Sequence, residues 1–269
     1  MKYKTDAYLI TCLTNMHVGS GEANYGVIDN LVQRDTNHEL PIIHSSSLKG
    51  ALREFFKDEW GENDDKLNFV FGADTIRNSS AKSGVGKFKF FEANLVVLPV
   101  RSNAKPFFRA TSPFLLEEVN SKATNLGLIN FDINPFGNVA NSKGVPIIIE
   151  ELKNCLLEDF PTIKGLSLKP GIDNSIGDNP ALFHVDDFKS LAKHLPVIAR
   201  NQLENGESKN LWYEEVVPRE SRFVFFVSKP ENTNTALSSD FDVKIQNNVV
   251  QIGGNASIGY GFTKIKKLS

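Results

Sequence analysis

Cysteine is almost absent from this 269-residue chain, and Cys12 and Cys155 are the only two. They lie far apart and without the Cys/His spacing of a zinc site, which argues against a disulfide framework and a structural zinc. Two reduced thiols are expected, with Cys12 packed in a core. No apolar run approaches the roughly 20 residues that span a bilayer. The opening segment carries Lys2 and Lys4 but lacks the apolar core of an export signal. A cytoplasmic protein that does not meet a membrane is therefore expected. A basic excess is missing too: 30 Lys and Arg face 32 Asp and Glu, for a net charge of -2. A protein that holds nucleic acid by phosphate neutralisation alone usually carries a clear positive excess. A subunit with one basic groove and acidic surfaces against its neighbours sums to the same value, so charge does not decide. There is no internal repeat and no low-complexity tract.

What is present is a 41% hydrophobic composition, enough for one sizeable core. Ala7 to Thr14 is rich in β-formers and runs into the turn Met16-His17-Val18-Gly19-Ser20-Gly21, which predicts a first strand and a loop. Val27 to Gln33 and Leu40 to Ile43 read as extended pieces around a polar connection. Ser45-Ser46-Ser47 offers an N-cap to a helix carrying Leu48, Ala51, Leu52, Phe55 and Phe56 at helical spacing, stopped by Gly61. Asn78 to Gly86 reads as a loop and Lys87 to Val100 as a central strand. Ser112-Pro113 opens a second helix. Weak periodicity from Asn125 to Pro180 predicts an irregular insertion. Asp186 to His194 reads as a short helix, Leu195 to Pro218 as a protruding hairpin turning at Asn205-Gly206, and Arg222 to Ser228 as a strand. A glycine-rich loop, Gly253 to Gly259, precedes a last strand from Tyr260 to Ile265. One α+β domain accounts for this order.

Three motifs mislead. Ser46-x-x-Lys49 imitates the nucleophile motif of penicillin-binding enzymes, but the Ser-Asp-Asn element is missing. Gly84-Val85-Gly86-Lys87 resembles half a phosphate loop, with Phe88 where a magnesium-binding hydroxyl belongs. Gly259-Tyr260-Gly261-Phe262 reproduces the centre of an RNA-recognition strand, yet no helix and further strand follow it. Core packing of Tyr260 and Phe262 is the favoured expectation.

Four segments together resemble one family: Met16 to Gly21 leading into Tyr25-Gly26-Val27-Ile28-Asp29-Asn30; Ile43-His44-Ser45-Ser46-Ser47-Leu48-Lys49-Gly50-Ala51-Leu52-Arg53; Trp212-Tyr213-Glu214-Glu215-Val216-Val217-Pro218; and Gly253-Gly254-Asn255-Ala256-Ser257-Ile258-Gly259-Tyr260-Gly261. They look like the repeated RAMP-superfamily backbone subunit of the type III-B CRISPR Cmr effector. The resemblance implies a ferredoxin-like or RRM-like palm drawn from about 1–60, 87–124 and 222–269. It also implies a finger insertion over about 125–185 and a hairpin thumb over about 195–218. Guide CRISPR RNA, single-stranded target RNA, further copies of the chain in a helical filament and other Cmr subunits are the implied partners. The pattern departs from the family between Glu231 and Asn248, where helical periodicity is poor and a second palm helix lacks support.

RNA is cut without a protein nucleophile when its own 2′-hydroxyl attacks the adjacent phosphorus in line, so the protein must supply distortion, a proton acceptor and charge stabilisation. The resemblance puts the catalytic aspartate at Asp29, as proton acceptor or as ligand of a divalent metal, Mg2+ or Mn2+. Residue type alone favours an Asx turn there. His17 is a candidate for charge stabilisation, against a structural histidine, and Glu215 for metal or proton transfer. Lys49 and Arg53, one turn apart near a helix N-terminus with Ser46, form a candidate phosphate seat. A solvated face paired with Glu54 or Asp58 is the alternative. Gly253, Gly254, Gly259 and Gly261 would let backbone and free amides approach a sugar-phosphate chain, with Asn255 among them as a further RNA-binding candidate, against a plain tight connection. Trp212 would stack on bases or anchor the hairpin.

The reading that follows is a guide-coating, metal-dependent target endoribonuclease working inside an assembly. A purely structural RNA-coating subunit and a histidine-based guide-processing ribonuclease of the same superfamily are the alternatives.

Overall fold

The computed structural model describes residues 2–21, 26–62, 64–73, 84–170 and 175–269. Tyr25 of the first motif and most of the 78–86 stretch lie outside them. In chain order the elements begin with β1 (Tyr3–Cys12), β2 (Ile42–Ile43), α1 (Ser45–Trp60), α2 (Asp65–Phe71), β3 (Lys89–Phe90), β4 (Ala93–Val100), β5 (Phe108–Thr111) and α3 (Pro113–Asn125). Short strands follow: β6 (Ile147–Ile148), β7 (Leu156–Leu157), β8 (Phe160–Pro161), β9 (Ile163–Lys164) and β10 (Pro180–Leu182). The chain continues with α4 (Val185–Lys193), β11 (Val197–Glu204), β12 (Glu207–Glu215), β13 (Arg222–Pro230), α5 (Thr235–Asn247), β14 (Val249–Gln251) and β15 (Phe262–Lys267).

Four long strands set the topology. Their order in the sheet is β15-β1-β13-β4, and β1-α1-β4-β13-α5-β15 is their order in the chain. That is the β-α-β-β-α-β plan of a ferredoxin-like fold. The central strands are apolar on both faces because both are covered. Tyr8, Ile10 and Cys12 of β1, with Phe223, Phe225 and Val227 of β13, face one core beneath α1 and α5. Ala7, Leu9, Val224 and Phe226 face a second core under α3 and the 125–185 stretch. Burial pushes the Cys12 thiol up to about 12, with Glu220 adding to it, so it stays a neutral apolar filler.

Helix α1 forms because Leu48, Leu52 and Phe56 recur on one buried stripe, and Gly61 at φ 98° ends it by donating its amide to the Lys57 carbonyl. Its cap corrects the sequence reading. His44 occupies the N-cap position without a side-chain cap bond, and the three serines form the first turn. Helix α5 is the larger correction. Asn234 caps it by accepting from the Ala236 amide, and Leu237, Phe241 and Ile245 make a single stripe spaced by four. Phe241 stacks on Phe56 at 4.7 Å. One apolar residue per turn suffices here because the rest of the face is held by charges, which a hydrophobic pattern does not register.

The 125–185 stretch extends the same sheet. β5 continues from β4, β10 lies parallel to β5, and β6 and β9 complete the edge of eleven strands. The hairpin β11–β12 forms a sheet of its own, turning at Asn205 (φ 53°) and Gly206 (φ 87°), the left-handed pair a type I′ turn needs.

Candidate nucleic-acid interface

The hairpin leaves the body at Leu195 and re-enters at Val216 and Val217, all three buried. Two adjacent glutamates pin its root, one on each face of β12, because successive strand residues point to opposite sides. Glu215 is 3% exposed; its Oε2 accepts from the Val32 amide at 3.1 Å and its Oε1 from Arg34 Nη2 at 2.5 Å. Arg34 also donates to the Glu39 and Ala192 carbonyls. Glu214 is 5% exposed and its Oε2 accepts from Arg200 Nε at 3.1 Å and Nη2 at 2.9 Å and from Asn255 Nδ2 at 2.8 Å. The proton-transfer or metal role assigned to Glu215 by its sequence context is thus corrected. Its carboxylate faces inward with both oxygens bonded, which is an anchor's geometry.

Asp29 lies alongside the same arm. Its amide and that of Asn30 both donate to the Tyr213 carbonyl at 3.1 Å, and its Oδ2 accepts from the Tyr213 amide at 2.7 Å. Asn30 bridges to Glu214 in parallel, and the Glu215 amide donates to the Asn30 carbonyl. The carboxylate is exposed, and among the described residues its Oδ1 has no bonded partner. A strand-hostile residue is therefore tolerated here because it borrows a partner from the hairpin.

His17 is 8% exposed, with Nδ1 2.7 Å from the Glu215 carbonyl and Nε2 3.7 Å from Glu214 Oε1. It is wedged so closely that a Cβ at Gly19 would lie 3.0 Å from Nε2. Its carbonyl accepts from the Gly254 amide at 2.9 Å, and a Cβ on Gly253 would meet that oxygen at 2.3 Å. The glycines of the last connection accordingly admit the chain's own backbone. The amides of Gly254, Gly259 and Gly261 are bonded to His17, Ala256 and Asn15 carbonyls. At those positions the tight-connection alternative holds, and the expectation of free amides is corrected. Tyr260 and Phe262 are half-buried instead of core residues, and the Arg200 guanidinium lies over the Tyr260 ring at 4.5 Å.

Helix α1 is tied to this region by Gln33, which donates to Ser47 Oγ at 2.9 Å and to the Gly19 carbonyl at 3.2 Å while accepting from the His44 amide. Ser46 is exposed on its first turn. Lys49 is half-buried, and burial followed by the neighbouring charges of Lys89 and Arg53 lowers its pKa. Arg53 donates to the Gly72 carbonyl at 2.6 Å. Among the described residues neither cation pairs with Glu54 or Asp58; Glu54 goes to Lys57. A partly buried cluster of like charge favours an anion. Trp212 is half-buried opposite Arg200 on the hairpin. Sequence reasoning missed Gln33, Arg34, Lys89, Arg200 and Glu214. Only the paired acids Glu214-Glu215 beside the apolar Val216-Val217 carried a signal, since charge next to a root that must be buried needs a partner.

Among the described residues no three His, Cys, Asp or Glu side chains converge to hold a metal ion. Asp29 offers one exposed carboxylate with an oxygen that has no bonded partner among the described residues, fewer protein ligands than a dedicated metal cage supplies.

The sheet order, the projecting hairpin and the tight last connection define the class: a ferredoxin-like α+β protein. Residues 9–264 match the RAMP superfamily model, and the chain belongs to that superfamily. It is similar to the CRISPR system Cmr endoribonuclease Cmr4 of Pyrococcus furiosus, 29% identical over 96% of this chain and 95% of the relative. It also superposes on a chain of the type III-B Cmr-beta complex in its apo state with a TM-score of 0.78, at 22% identity, covering 98% and 97% of the two chains. A chain of Cmr-beta bound to cognate target RNA superposes with a TM-score of 0.73, at 23% identity and 98% and 97% coverage.

Proposed function

We propose that this chain is the repeated backbone subunit of a type III-B CRISPR effector, which coats guide RNA and cleaves the bound complementary target. Likeness to an endoribonuclease over nearly its whole length supports the activity. The observation that carries the reading is the exposed Asp29 carboxylate held against the hairpin arm by the Tyr213 amide, on the same arm whose Glu215 carbonyl meets His17. The 2′-oxygen of the target attacks the adjacent phosphorus as its proton is removed, the P–O5′ bond breaks, and the leaving 5′-oxygen takes a proton from water, giving a 2′,3′-cyclic phosphate and a 5′-hydroxyl. Asp29 Oδ1 takes the 2′-hydroxyl proton or holds a divalent cation, Mg2+ or Mn2+, which when bound would neutralise phosphate charge. His17, Glu214 and Glu215 hold the hairpin and the loop in register. Lys49 and Arg53 seat phosphates, and further copies of the chain repeat the arrangement along the guide.

A structural subunit without nuclease activity is the second reading, favoured by the bond from the Tyr213 amide to Asp29, which a turn residue would also make. An end-labelled target offered to the reconstituted complex separates the two. Cuts at a fixed interval with cyclic-phosphate ends support cleavage. An intact target on a complex that binds it supports the structural subunit.

A further inference from the structure

Above its root the hairpin has little to lean on. Leu203 and Leu211 are exposed, as are most residues of β11 and of β12 up to Tyr213. Its direction is therefore set by contacts at the base. Two of these lie on strand β12 itself, through Glu214 and Glu215. From β11 the one side chain that reaches across is Arg200, among the described residues, and it does two things at once. Its Nε and Nη2 donate to Glu214 Oε2, and its guanidinium plane covers the Tyr260 ring. Tyr260 belongs to the body, because its amide donates to the Asn255 carbonyl and the next amide, of Gly261, to the Asn15 carbonyl. Asn255 in turn donates to the same Glu214 oxygen. Arg200, Glu214, Asn255 and Tyr260 thus close a ring between the hairpin and the last connection. Glu214 also pairs with Asn30, whose neighbour Asp29 hangs from Tyr213.

We infer that Arg200 is a positioning residue for the reaction at Asp29: by clamping the hairpin to the body through Glu214 and Tyr260 it fixes where the Asp29 carboxylate stands relative to the target backbone. This rests on the proposed cleavage activity. The guanidinium suits the task because it combines a forked donor with a planar face, whereas an ammonium supplies only a point charge. Loosening the clamp lets the arm swing and carries Asp29 with it, and a displacement of about 1 Å in a reacting group costs on the order of 10²-fold in rate.

The test uses the reconstituted complex carrying Arg200→Met, Arg200→Lys or Tyr260→Leu, with wild type beside them. Single-turnover cutting, the half-saturating target concentration and the thermal midpoint are measured for each. Arg200→Met is expected to cut about 10²-fold more slowly, with half-saturation and guide retention unchanged and with cuts spread over neighbouring linkages. Arg200→Lys recovers part of the rate, and Tyr260→Leu gives an intermediate loss. Wild-type rate in Arg200→Met overturns the inference. So does a loss of target affinity that matches the loss of rate, since Arg200 would then be an RNA contact. Should Arg200→Met fail to fold, the Lys and Tyr260 variants decide by the same criteria. A wild-type complex that binds but never cuts is a failure of the proposed activity itself and is recognised before any variant is compared.

Discussion

Asp29 and Tyr213 exchange hydrogen bonds across 184 positions of sequence: the Asp29 amide donates to the Tyr213 carbonyl, and the Tyr213 amide donates to Asp29 Oδ2 at 2.7 Å. The exposed carboxylate is thus an extension of the hairpin. Whatever orients the hairpin therefore orients Asp29.

Asp29→Asn is the sharper test of this residue. Asparagine keeps an oxygen to accept from the Tyr213 amide and removes only the charge and basicity. Loss of a positioned acid or base costs about 10²- to 10⁴-fold in rate, so cutting by the complex should fall by that factor. The melting temperature and guide affinity should stay at the wild-type values. Asp29→Ala should lose the same activity and in addition about 1 kcal/mol of stability or less, because water replaces the lost acceptor at an exposed site. A fast Asp29→Asn complex, shown free of contaminating ribonuclease, would move the chemistry elsewhere.

The order of strands and helices was legible because long apolar runs such as Arg222–Pro230 and sharp turns such as Asn205-Gly206 are written locally. The partners were not. A two-residue turn at 205–206 with uninterrupted pairing would set Arg200 opposite Leu211, on the face away from Glu214. A register shift between Gln202 and Leu203 instead sets Arg200 opposite Trp212 and on the side of Glu214. An irregularity of one residue exchanges faces, and nothing in the residues around it announces the change. Helix α5 was hidden for a related reason: Asp242 sits on its inner face in an ion-pair network that a hydrophobic pattern reads as exposure.

Glu215→Ala should separate anchoring from chemistry. It strips the Val32 amide and the largely buried Arg34 guanidinium of an acceptor. Removing one partner of such a pair costs about 3 to 5 kcal/mol. Urea unfolding should register that loss, and cutting should fall with it, unlike the activity-only loss at Asp29. Unchanged stability in Glu215→Ala would mean that the hairpin root is held by other contacts.

Reversal of Lys49 to Glu should weaken guide binding while leaving the monomer folded, since among the described residues Lys49 has no acidic partner to lose. The new carboxylate would also repel phosphate. For single-stranded RNA, each phosphate that the protein no longer neutralises should flatten the dependence of log affinity on log salt by about 0.7. Filter binding across a salt series, with circular dichroism for the fold, gives both quantities. Loss of the fold along with affinity would instead mark a structural lysine.

Chelation should bear on cutting and not on binding if a divalent cation acts through Asp29. Addition of a chelator is expected to stop cleavage of a bound target, and Mg2+ or Mn2+ to restore it, with guide retention constant throughout. Full activity in the chelator would leave Asp29 as a proton acceptor alone.

A last prediction concerns pH and the ion-pair network around Asp242. Lys229 Nζ lies 2.6 Å from Asp242 Oδ1 and 2.9 Å from Asp6 Oδ2, and Lys267 Nζ lies 2.7 Å from Asp242 Oδ2 and 3.0 Å from Asp6 Oδ2. Tyr8 donates to Asp242 Oδ1 at 2.6 Å. Burial by itself would raise the Asp242 pKa, but the Lys229 charge and the bonds from Lys229, Lys267 and Tyr8 outweigh it and hold the group below its ordinary 3.8. A carboxylate depressed on folding stabilises the native state fully above its unfolded pKa, and that contribution disappears as pH falls through the lower, folded value. For Lys267, burial lowers the pKa and the bonds to Asp242 and Asp6 raise it further, to a net value above 10.5. Its contribution is complete below that pH and is lost as pH rises through the folded value. Stability should therefore be level between these limits and fall outside them. Asp242→Asn should be less stable on the plateau, because two lysines are left sharing Asp6, and should lose much of the acid-side decline. Urea midpoints of both proteins across the pH range measure this directly. An identical acid decline in Asp242→Asn would show that other carboxylates govern it.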